Sequence, residues 1–576
     1  MTKIRVLEIK NFRGIRALTW YPSPGMNCLV GPGDSGKSTI LDAIDLCLAP
    51  RRTVQFNDGD FYSADSSQDI LISVTLGDLS ESMLTLDAYG QHFRGMDLES
   101  QELEDEPDTG LETVLTVALT VSSDLEPTWL LVSDRAAELG IERGLRWEHR
   151  LQLAPIRIGV KTEDHTSWRR GSALSRLSES FSTSLALADA ARAARSNFGE
   201  LTDPTVEEAI QSVEEIAESL GVSAGSDLKA MLDPRAVSMS AGAIAIHGKN
   251  GVPVRSLGTG SLRLLTAGMA QRATAPLSAV LIDEVELGLE PHRILRLLDS
   301  LGAKDADTDL QVFATTHSPV VVRELDGDQI QIVRRSRRRH EVLQAGTSDA
   351  VQSTLRSYPE AMLAKRVMVC EGQTEMGLLR GLDQYRVEDK ERVSYNAVGT
   401  AFIVAGGGSP EKILECAKRF NDLGYEAAAF LDHDKPIDAK AREAFESAGG
   451  VTCVWPQGMA TETALFSFLP LDALTPMLEI AERFIGAKLV QEHIQSASNG
   501  TLKLDDIKAE LADRKMPDST RESLAVAALS GAWYKTVGRA QAVGLHVLGP
   551  YFGASDDDLK AVVGKLSKWA AGSATK

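Results

Sequence analysis

The apolar positions of this chain change period several times, and the changes mark out its elements. Residues 3 to 9 alternate, with Ile4, Val6, Leu7 and Ile9 apolar, then pass through Asn11-Phe12-Arg13-Gly14-Ile15 and Leu18 to an apolar run from Met26 to Val30. That pattern predicts two short strands and a third, buried one. Ile40, Leu41, Ile44 and Leu48 recur at helical spacing, Phe56-Asn57-Asp58-Gly59-Asp60-Phe61 reads as a turn, and strands are expected at Asp69 to Leu76 and between Leu111 and Leu131. Between these, residues 97–110 are rich in Glu and Asp and read as an exposed loop. From 174 to about 233, two sets (Leu185, Leu187, Ala188, Ala191, Ala194, then Val206, Ala209, Ile210, Val213, Ile216, Leu220) recur at three and four. They predict helices suited to an inserted hairpin or a packed subdomain. Apolar strands return at Ala279 to Ile282 and Leu310 to Ala314, and residues 350–364 read as a link. Beyond it Lys365 to Cys370, Val393 to Val398, Ala401 to Ala405 and Ala427 to Leu431 read as strands, with helical patterns at Met376, Leu378, Leu379, Leu382 and at Ile413, Leu414, Ala417, Phe420. Such alternation gives a parallel sheet. Residues 471–528 read as mostly helical.

Length and composition narrow the classes. With 576 residues the chain exceeds one core and suggests about three or four folding units. No apolar run approaches the roughly 18 residues of a membrane span, and Met1-Thr2-Lys3-Ile4-Arg5 carries no signal-peptide core, so a cytoplasmic protein without membrane contact is expected. Cys28, Cys47, Cys370, Cys416 and Cys453 form no C-x-x-C pair, which argues against a disulfide framework or a zinc site. A net charge of -20 disfavours nucleic-acid binding over the whole surface and leaves only local contacts. Arg334-Arg335-Ser336-Arg337-Arg338-Arg339 is the densest basic run, readable equally as a contact or a solvated turn; Asp164 to Leu177, with a Trp and three arginines, could meet phosphate, a partner subunit or only solvent.

Gly31-Pro32-Gly33-Asp34-Ser35-Gly36-Lys37-Ser38-Thr39 follows the Met26 to Val30 run and opens a helix, the context that a phosphate-binding loop requires. Its glycines let backbone N–H groups close on phosphates at a helix N-terminus. Lys37 is then expected to reach the β- and γ-phosphates of ATP, and Ser38 to offer its hydroxyl to Mg²⁺. Ala279-Val280-Leu281-Ile282 ends on Asp283-Glu284, where Asp283 can hold the Mg²⁺ shell and Glu284 can orient the attacking water.

Two strands before the loop, the first closing in Ile9-Lys10-Asn11-Phe12-Arg13-Gly14-Ile15, resemble the ABC-type ATPase heads of chromosome-maintenance and recombination proteins. On that resemblance Ser256-Leu257-Gly258-Thr259-Gly260-Ser261-Leu262-Arg263 is the signature loop, and Ser256, Gly258 and Gly260 meet the γ-phosphate held by a second copy. Gly288-Leu289-Glu290-Pro291-His292 stands at the D-loop, with Glu290 in place of the usual Asp, and His317 in Thr315-Thr316-His317-Ser318-Pro319 matches the switch histidine. The family's metal-proximal glutamine is assignable to neither Gln55 nor Gln68.

A second chemistry lies downstream. Cys370 leads into Glu371-Gly372-Gln373-Thr374-Glu375, and Leu431 into Asp432-His433-Asp434. Polar residues at C-terminal strand ends of a parallel sheet face one crevice. Four carboxylates gathered there repel strongly, so Glu371, Glu375, Asp432 and Asp434 predict a hard divalent metal with oxygen ligands, Mg²⁺ or Mn²⁺. Two such ions about 4 Å apart could activate a water and stabilise the leaving oxygen of a phosphodiester.

E-G-x-T-E followed by D-x-D resembles the Toprim domain of primases, topoisomerases and certain nucleases. An N-terminal ABC-type head joined to a C-terminal Toprim domain resembles the OLD (overcoming lysogenisation defect) nucleases. The His165-Thr166-Ser167-Trp168 to Leu177 stretch and the chain length point to class 2, the class that includes the nuclease subunit of Gabija antiphage systems. The resemblance implies an α/β protein: an ABC-type head at 1–173 and 236–345 with a helical insertion for dimerisation at 174–235, and a Rossmann-like Toprim core at 360–470. A small helical subdomain at 471–530 and a C-terminal part of the Toprim region at 531–576 complete it. It further implies Glu462, in Thr461-Glu462-Thr463-Ala464, as an additional metal ligand, and Lys535, in Trp533-Tyr534-Lys535-Thr536, as a cation beside the transition state. The expected function is an ATP-regulated, divalent-metal-dependent DNA endonuclease in antiphage defence, acting as a homodimer or larger homo-oligomer with a superfamily 1 helicase as further partner. The alternatives are a DNA-clamping or repair ATPase with a non-catalytic Toprim domain, a primase, which would be expected to carry a zinc module, and a topoisomerase. For the last, Tyr385 and Tyr534 are present, but no DNA-breakage domain is recognisable.

Overall fold

The computed structural model describes residues 2–50, 54–159, 162–168, 172–177, 184–198, 204–219, 228, 244–272, 279–303, 309–335, 339–388, 392–406 and 408–572. The fold is mixed α/β, and the chain divides into two compact units, Met1–Cys28 with Ser38–Thr316, and Leu29–Lys37 with His317–Lys576.

In the first unit β1 (Lys3–Phe12) pairs antiparallel with β2 (Ile15–Trp20). Strand β3 (Met26–Val30) follows, its residues divided between the units. Next come β4 (Ile70–Gly77), β5 (Phe93–Met96), β6 (Leu103–Glu104), β7 (Glu112–Val121) and β8 (Pro127–Val132). They complete an antiparallel sheet of order β2-β1-β4-β7-β5-β6, with β8 also on β7. The β1–β2 turn holds Asn11 and Arg13 at φ 56° and 49°, a conformation costly for a residue with a β-carbon. Arg13 is fixed there by Asp42 on the helix Lys37–Leu48 and by Asp60, whose Oδ1 accepts from Nε at 2.9 Å. A separate parallel set joins β9 (Ile156–Ile158), β10 (Ala279–Ile282) and β11 (Gln311–Thr315), with β10 in the middle. All four residues of β10 are buried, as a central parallel strand requires.

Of the expected insertion at 174–235, helices Ser184–Phe198 and Pro204–Ser219 are seen, and the helix Ala173–Leu177 opens it. Residues 178–183, 199–203, 220–227 and 229–235 lie outside the described residues, as do Arg169, Arg170, and Arg337 and Arg338 of the basic run.

In the second unit β12 (Ile330–Arg335) and β13 (His340–Gln344) form a hairpin. Arg334 of the basic run turns inward: its guanidinium carbon sits 3.4 Å from the Tyr425 ring centre, and Nη1 donates to the Ala364 carbonyl. Four parallel strands follow: β14 (Arg366–Cys370), β15 (Thr400–Val404), β16 (Glu426–Leu431) and β17 (Val451–Val454). Their order is β15-β14-β16-β17. One hydrophobic core runs from Met368 and Phe430 of this sheet through Trp455, Phe466, Leu478 and Trp533 to Leu566 in the last helix, Asp557–Ala570. Helices between 461 and 570 therefore share the sheet's core.

Two sequence expectations are corrected, and one strand is added to those expected. Val393 to Val398 is a turn, because Asp383 accepts from Tyr395 N at 2.6 Å and Ser394 Oγ at 2.7 Å, which folds the segment back and buries Tyr395. The link at 350–364 contains a helix, Asp349–Ser357, capped by Ser348. Strand β17 had no counterpart in the periodicity; its four residues are too short a run to register.

The helix Gln373–Glu388 carries Gly377 and Gly381 against the helix Val537–Val543 and the turn after it. A β-carbon at Gly381 would lie 2.1 Å from the Gln541 carbonyl oxygen, whereas one at Gly564, inside the last helix, would meet nothing nearer than 4.0 Å. Gly381→Ala is expected to destabilise the protein by about 1–3 kcal/mol, and Gly564→Ala to leave it unchanged or slightly more stable. Thermal and urea unfolding of the two variants check this.

Candidate functional site

The nucleotide loop is built on enforced glycine geometry. Gly31 has φ 144°, and an added β-carbon would lie 2.7 Å from the Val333 carbonyl of β12; Gly36 has φ 91° and Asp34 φ 59°. Lys37 is buried and donates to the carbonyls of Gly31 at 3.0 Å and Pro32 at 2.8 Å, with Ser35 Oγ at 3.4 Å, so the loop wraps its own ammonium. Gly33 and Asp34 are exposed at its tip, while Ser38 and Thr39 lie in the first helical turn.

In the first unit, Ser38 Oγ donates to Asp283 Oδ1 at 2.9 Å, and Thr315 Oγ1 donates to the same oxygen at 2.6 Å. These oxygens are donors of the type Mg²⁺ takes. The Thr315 hydroxyl also accepts from Glu284 N at 2.8 Å, beside an exposed Glu284 held at φ 51°. Arg263, fully buried on the helix Thr259–Arg272, donates Nη2 to the carbonyls of Asp283 at 2.6 Å and Glu284 at 2.8 Å. Sequence reasoning assigned Thr315 and Arg263 no role of their own. Their signal lies in position only, at a strand end and on a helix face.

Ser256 and Gly258 are exposed ahead of that helix, and Ser256 Oγ donates to the Pro253 carbonyl at 2.6 Å. Gly260 is buried where a β-carbon would come 2.2 Å from the Gly288 carbonyl, which ties the helix start to the 288–292 segment. His317 is exposed directly after β11 and Thr316.

The carboxylates lie in the second unit. Glu371 directly follows β14 and Asp432 directly follows β16, adjacent strands at the point where the strand order reverses direction; ligand crevices of doubly wound sheets open there. Glu371 Oε2 accepts from Asp432 N at 2.9 Å. Asp432 Oδ1 accepts from Thr461 N at 2.9 Å and Thr461 Oγ1 at 2.7 Å, and that hydroxyl is also contacted by Trp455 Nε1 at 2.8 Å. Glu375 and Glu462, 3% and 2% exposed, sit in the first turns of their helices, where N–H groups favour a carboxylate. Glu375 Oε2 accepts from Gly372 N at 2.8 Å, and Thr374 Oγ1 reaches Glu462 at 3.4 Å. Asp434 and Lys535 are exposed. Thr461 was missed as a site residue in its own right.

These groups share one electrostatic field. Burial pushes Glu371, Glu375, Asp432 and Glu462 above the ordinary carboxylate range, Glu462 to about 7. Neighbouring charge adds to it: Asp434 on Glu371, Glu462 on Glu375, Glu375 and Glu371 on Asp432, and Asp432 on Glu462, which Lys535 opposes. Among the described residues no three His, Cys, Asp or Glu side chains enclose a metal position as they stand, their oxygens being turned to backbone N–H groups and Thr461. The chemistry of the donor set nonetheless fits a hard divalent cation: only carboxylates, several too buried to carry charge together without one.

The fold and loop define a P-loop nucleotide-binding α/β protein. A family described as "AAA domain, putative AbiEii toxin, Type IV TA system" matches residues 26–323, and the chain belongs to that family. It thus carries an ATPase-type, ATP-binding domain. The DNA replication and repair protein RecF of Chlorobium phaeovibrioides (strain DSM 265 / 1930) is 29% identical over 72 residues, 12% of this chain and 19% of that protein. The chain therefore spans about a fifth of that curated relative. Among solved structures, the Smc head domain with an extended coiled coil, bound to the C-terminal domain of ScpA, from Pyrococcus furiosus is similar at 15% identity and TM-score 0.35, covering 60% of this chain and 96% of that one. The SMC head domain from Thermotoga maritima is similar at 14% identity and TM-score 0.25, covering 59% and 98%. No helix among the described residues is long and apolar enough to cross a membrane.

A carboxyl whose pKa rises on folding stabilises the fold fully below its ordinary value of 4.5, and that contribution is lost as the pH climbs through about 7 for Glu462. In metal-free protein, Glu462→Gln is expected to raise Tm at pH 8, with a gain on the order of 2–3 kcal/mol, and to change little at pH 4.5. Calorimetry in chelator at both pH values checks the sign.

Proposed function

We propose that the second unit is a Toprim-type centre for divalent-metal-dependent DNA cleavage, governed by the ATP-binding domain, as in class 2 OLD nucleases. The observation that carries this reading is the meeting of Glu371 and Asp432 at the reversal of a parallel sheet, with Glu375 and Glu462 buried in the same field. Glu371, Glu375, Asp432, Asp434 and Glu462 would hold Mg²⁺ or Mn²⁺. Bound divalent cations would supply an activated water and charge stabilisation at the leaving oxygen. Thr461 orients Asp432 through two hydrogen bonds, and the Asp432 N–H orients Glu371. Lys535, whose charge already acts on Glu462, places a cation where negative charge grows on the phosphate.

In the ATP-binding domain, Gly31 to Lys37 cradle the phosphates, and Ser38 with Asp283 would hold the nucleotide's Mg²⁺. Glu284 orients the water, and His317 senses the γ-phosphate. Ser256, Gly258 and Gly260 of a second copy would close on that phosphate, making the active form a homodimer or larger assembly. The exposed state of Ser256 and Gly258 supports this. Exposed Val206, Val213 and Ile216 on the helix Pro204–Ser219 support a further contact between copies. RecF is by name a DNA replication and repair protein, which supports DNA as the substrate. A role in antiphage defence, with a superfamily 1 helicase as partner in the cytoplasm, belongs to the same reading.

Supercoiled and linear DNA incubated with Mg²⁺ or Mn²⁺, with and without ATP, tests it. Wild type is expected to cut, Asp432→Ala to fall below detection, and Thr461→Val to lose about 10–100-fold, the usual effect of removing a ligand's supporting partner. Lys37→Ala is expected to lose ATP binding. An Asp432→Ala protein that cuts like wild type overturns the nuclease; wild type that binds DNA without cutting fits a DNA-clamping ATPase.

A further inference from the structure

The second unit carries a cationic and aromatic surface that the carboxylate site does not use. A cavity of about 570 Å³ is lined by Tyr385, Arg386, Arg392, Phe552 and Lys568, and a neighbouring one of about 410 Å³ by Arg442, Glu446, Lys565, Lys568 and Trp569. Lys568, on the last helix, borders both. Five cations against one acid is a local inversion in a chain of net charge -20.

Several of these cations are already tied to the protein. Arg442 Nε pairs with Glu446 at 3.0 Å, and Lys565 Nζ donates to the Thr452 carbonyl at 2.7 Å. Arg386 stacks 4.4 Å over the Tyr395 ring, its buried Nε without an acceptor among the described residues. Arg392 and Lys568 are exposed and make no ion pair among the described residues. Positive charge interleaved with Tyr385, Phe552 and Trp569 matches a chain of phosphates bearing flat bases. Phe552 and Trp569 pack one side against the core and Tyr385 packs on Gly549, and all three rings stay half-exposed beside the cations; an acidic peptide would engage the cations alone. The helix Gln373–Glu388 sets the distance: Glu375 is in its first turn and Arg386 in its last, about 16 Å apart along the axis. The surface is therefore separate from the carboxylates.

We infer that this surface is an exosite for single-stranded nucleic acid, with Arg392 and Lys568 on phosphates and bases stacked on the neighbouring rings. Its purpose, holding an unpaired flank of the DNA being cut, rests on the nuclease reading; its binding does not.

Fluorescence anisotropy of a labelled oligo(dT) of about 20 nucleotides, titrated with the full chain in EDTA so that no cleavage occurs, measures binding. Arg392→Glu/Lys568→Glu is expected to weaken it about tenfold or more at low salt, and to flatten the dependence of log affinity on log salt by about 0.7 for each phosphate no longer held. Both residues are exposed, and an unchanged Tm shows that the variant folds. Lys488→Glu/Arg514→Glu makes the same charge change at exposed positions elsewhere in the unit and is expected to bind like wild type. Overturning results are no binding by wild type, equal weakening in the two double variants, an Arg392→Glu/Lys568→Glu protein that binds as well as wild type, or displacement of the oligonucleotide by poly-glutamate at equal charge concentration, which would make the surface a protein-binding one. Failure of wild type to cut DNA in Mg²⁺ or Mn²⁺ would sink the nuclease reading while leaving this binding result standing.

Discussion

Carboxylates taken out of water next to one another repel, and each must be offset locally or neutralised. The second unit is organised around that conflict. Its sheet order sets the ends of β14 and β16 side by side, so Glu371 and Asp432 meet whatever the loops do. Two helices then bring Glu375 and Glu462 into the same field at their first turns. The protein offsets the charge with backbone N–H groups, the Thr461 hydroxyl and the distant help of Lys535. These donors are too few to let the four buried acids ionise together, and a divalent cation is the simplest group that would.

The ATP-binding domain meets a related problem differently. Asp283 and Glu284 follow a fully buried strand, and Thr315 and Arg263 fix the turn between them by hydrogen bonds to both residues. Arg263 buries a full charge to do so, on the same helix whose start carries Gly260. The geometry of the two acids is thereby coupled to the placement of that helix within its own unit.

Sequence reasoning read the elements whose signal is local. The loop at Gly31 is legible because positive φ demands glycine, and the β14 and β16 ends because an apolar run stopping on an acid is visible residue by residue. What escaped depends on partners far along the chain. Val393 to Val398 has a strand's composition but is captured by Asp383; Thr461 matters because Asp432 and Trp455 fold onto it; Arg263 looks like any helix-face arginine until β10 is beside it. The basic run at Arg334, readable as a contact or a turn between strands, lies where β12 and β13 join, and its first guanidinium is committed to Tyr425, which neither reading showed.

On the proposed reading, the carboxylates of the second unit take up a divalent cation without nucleotide in the loop at Gly31. Calorimetric titration of Mn²⁺ into the full chain without nucleotide tests this most directly. Saturable binding by wild type and by Lys37→Ala is predicted, with no binding by Asp432→Asn. Equal binding by Asp432→Asn, or abolished binding in Lys37→Ala alone, would contradict it.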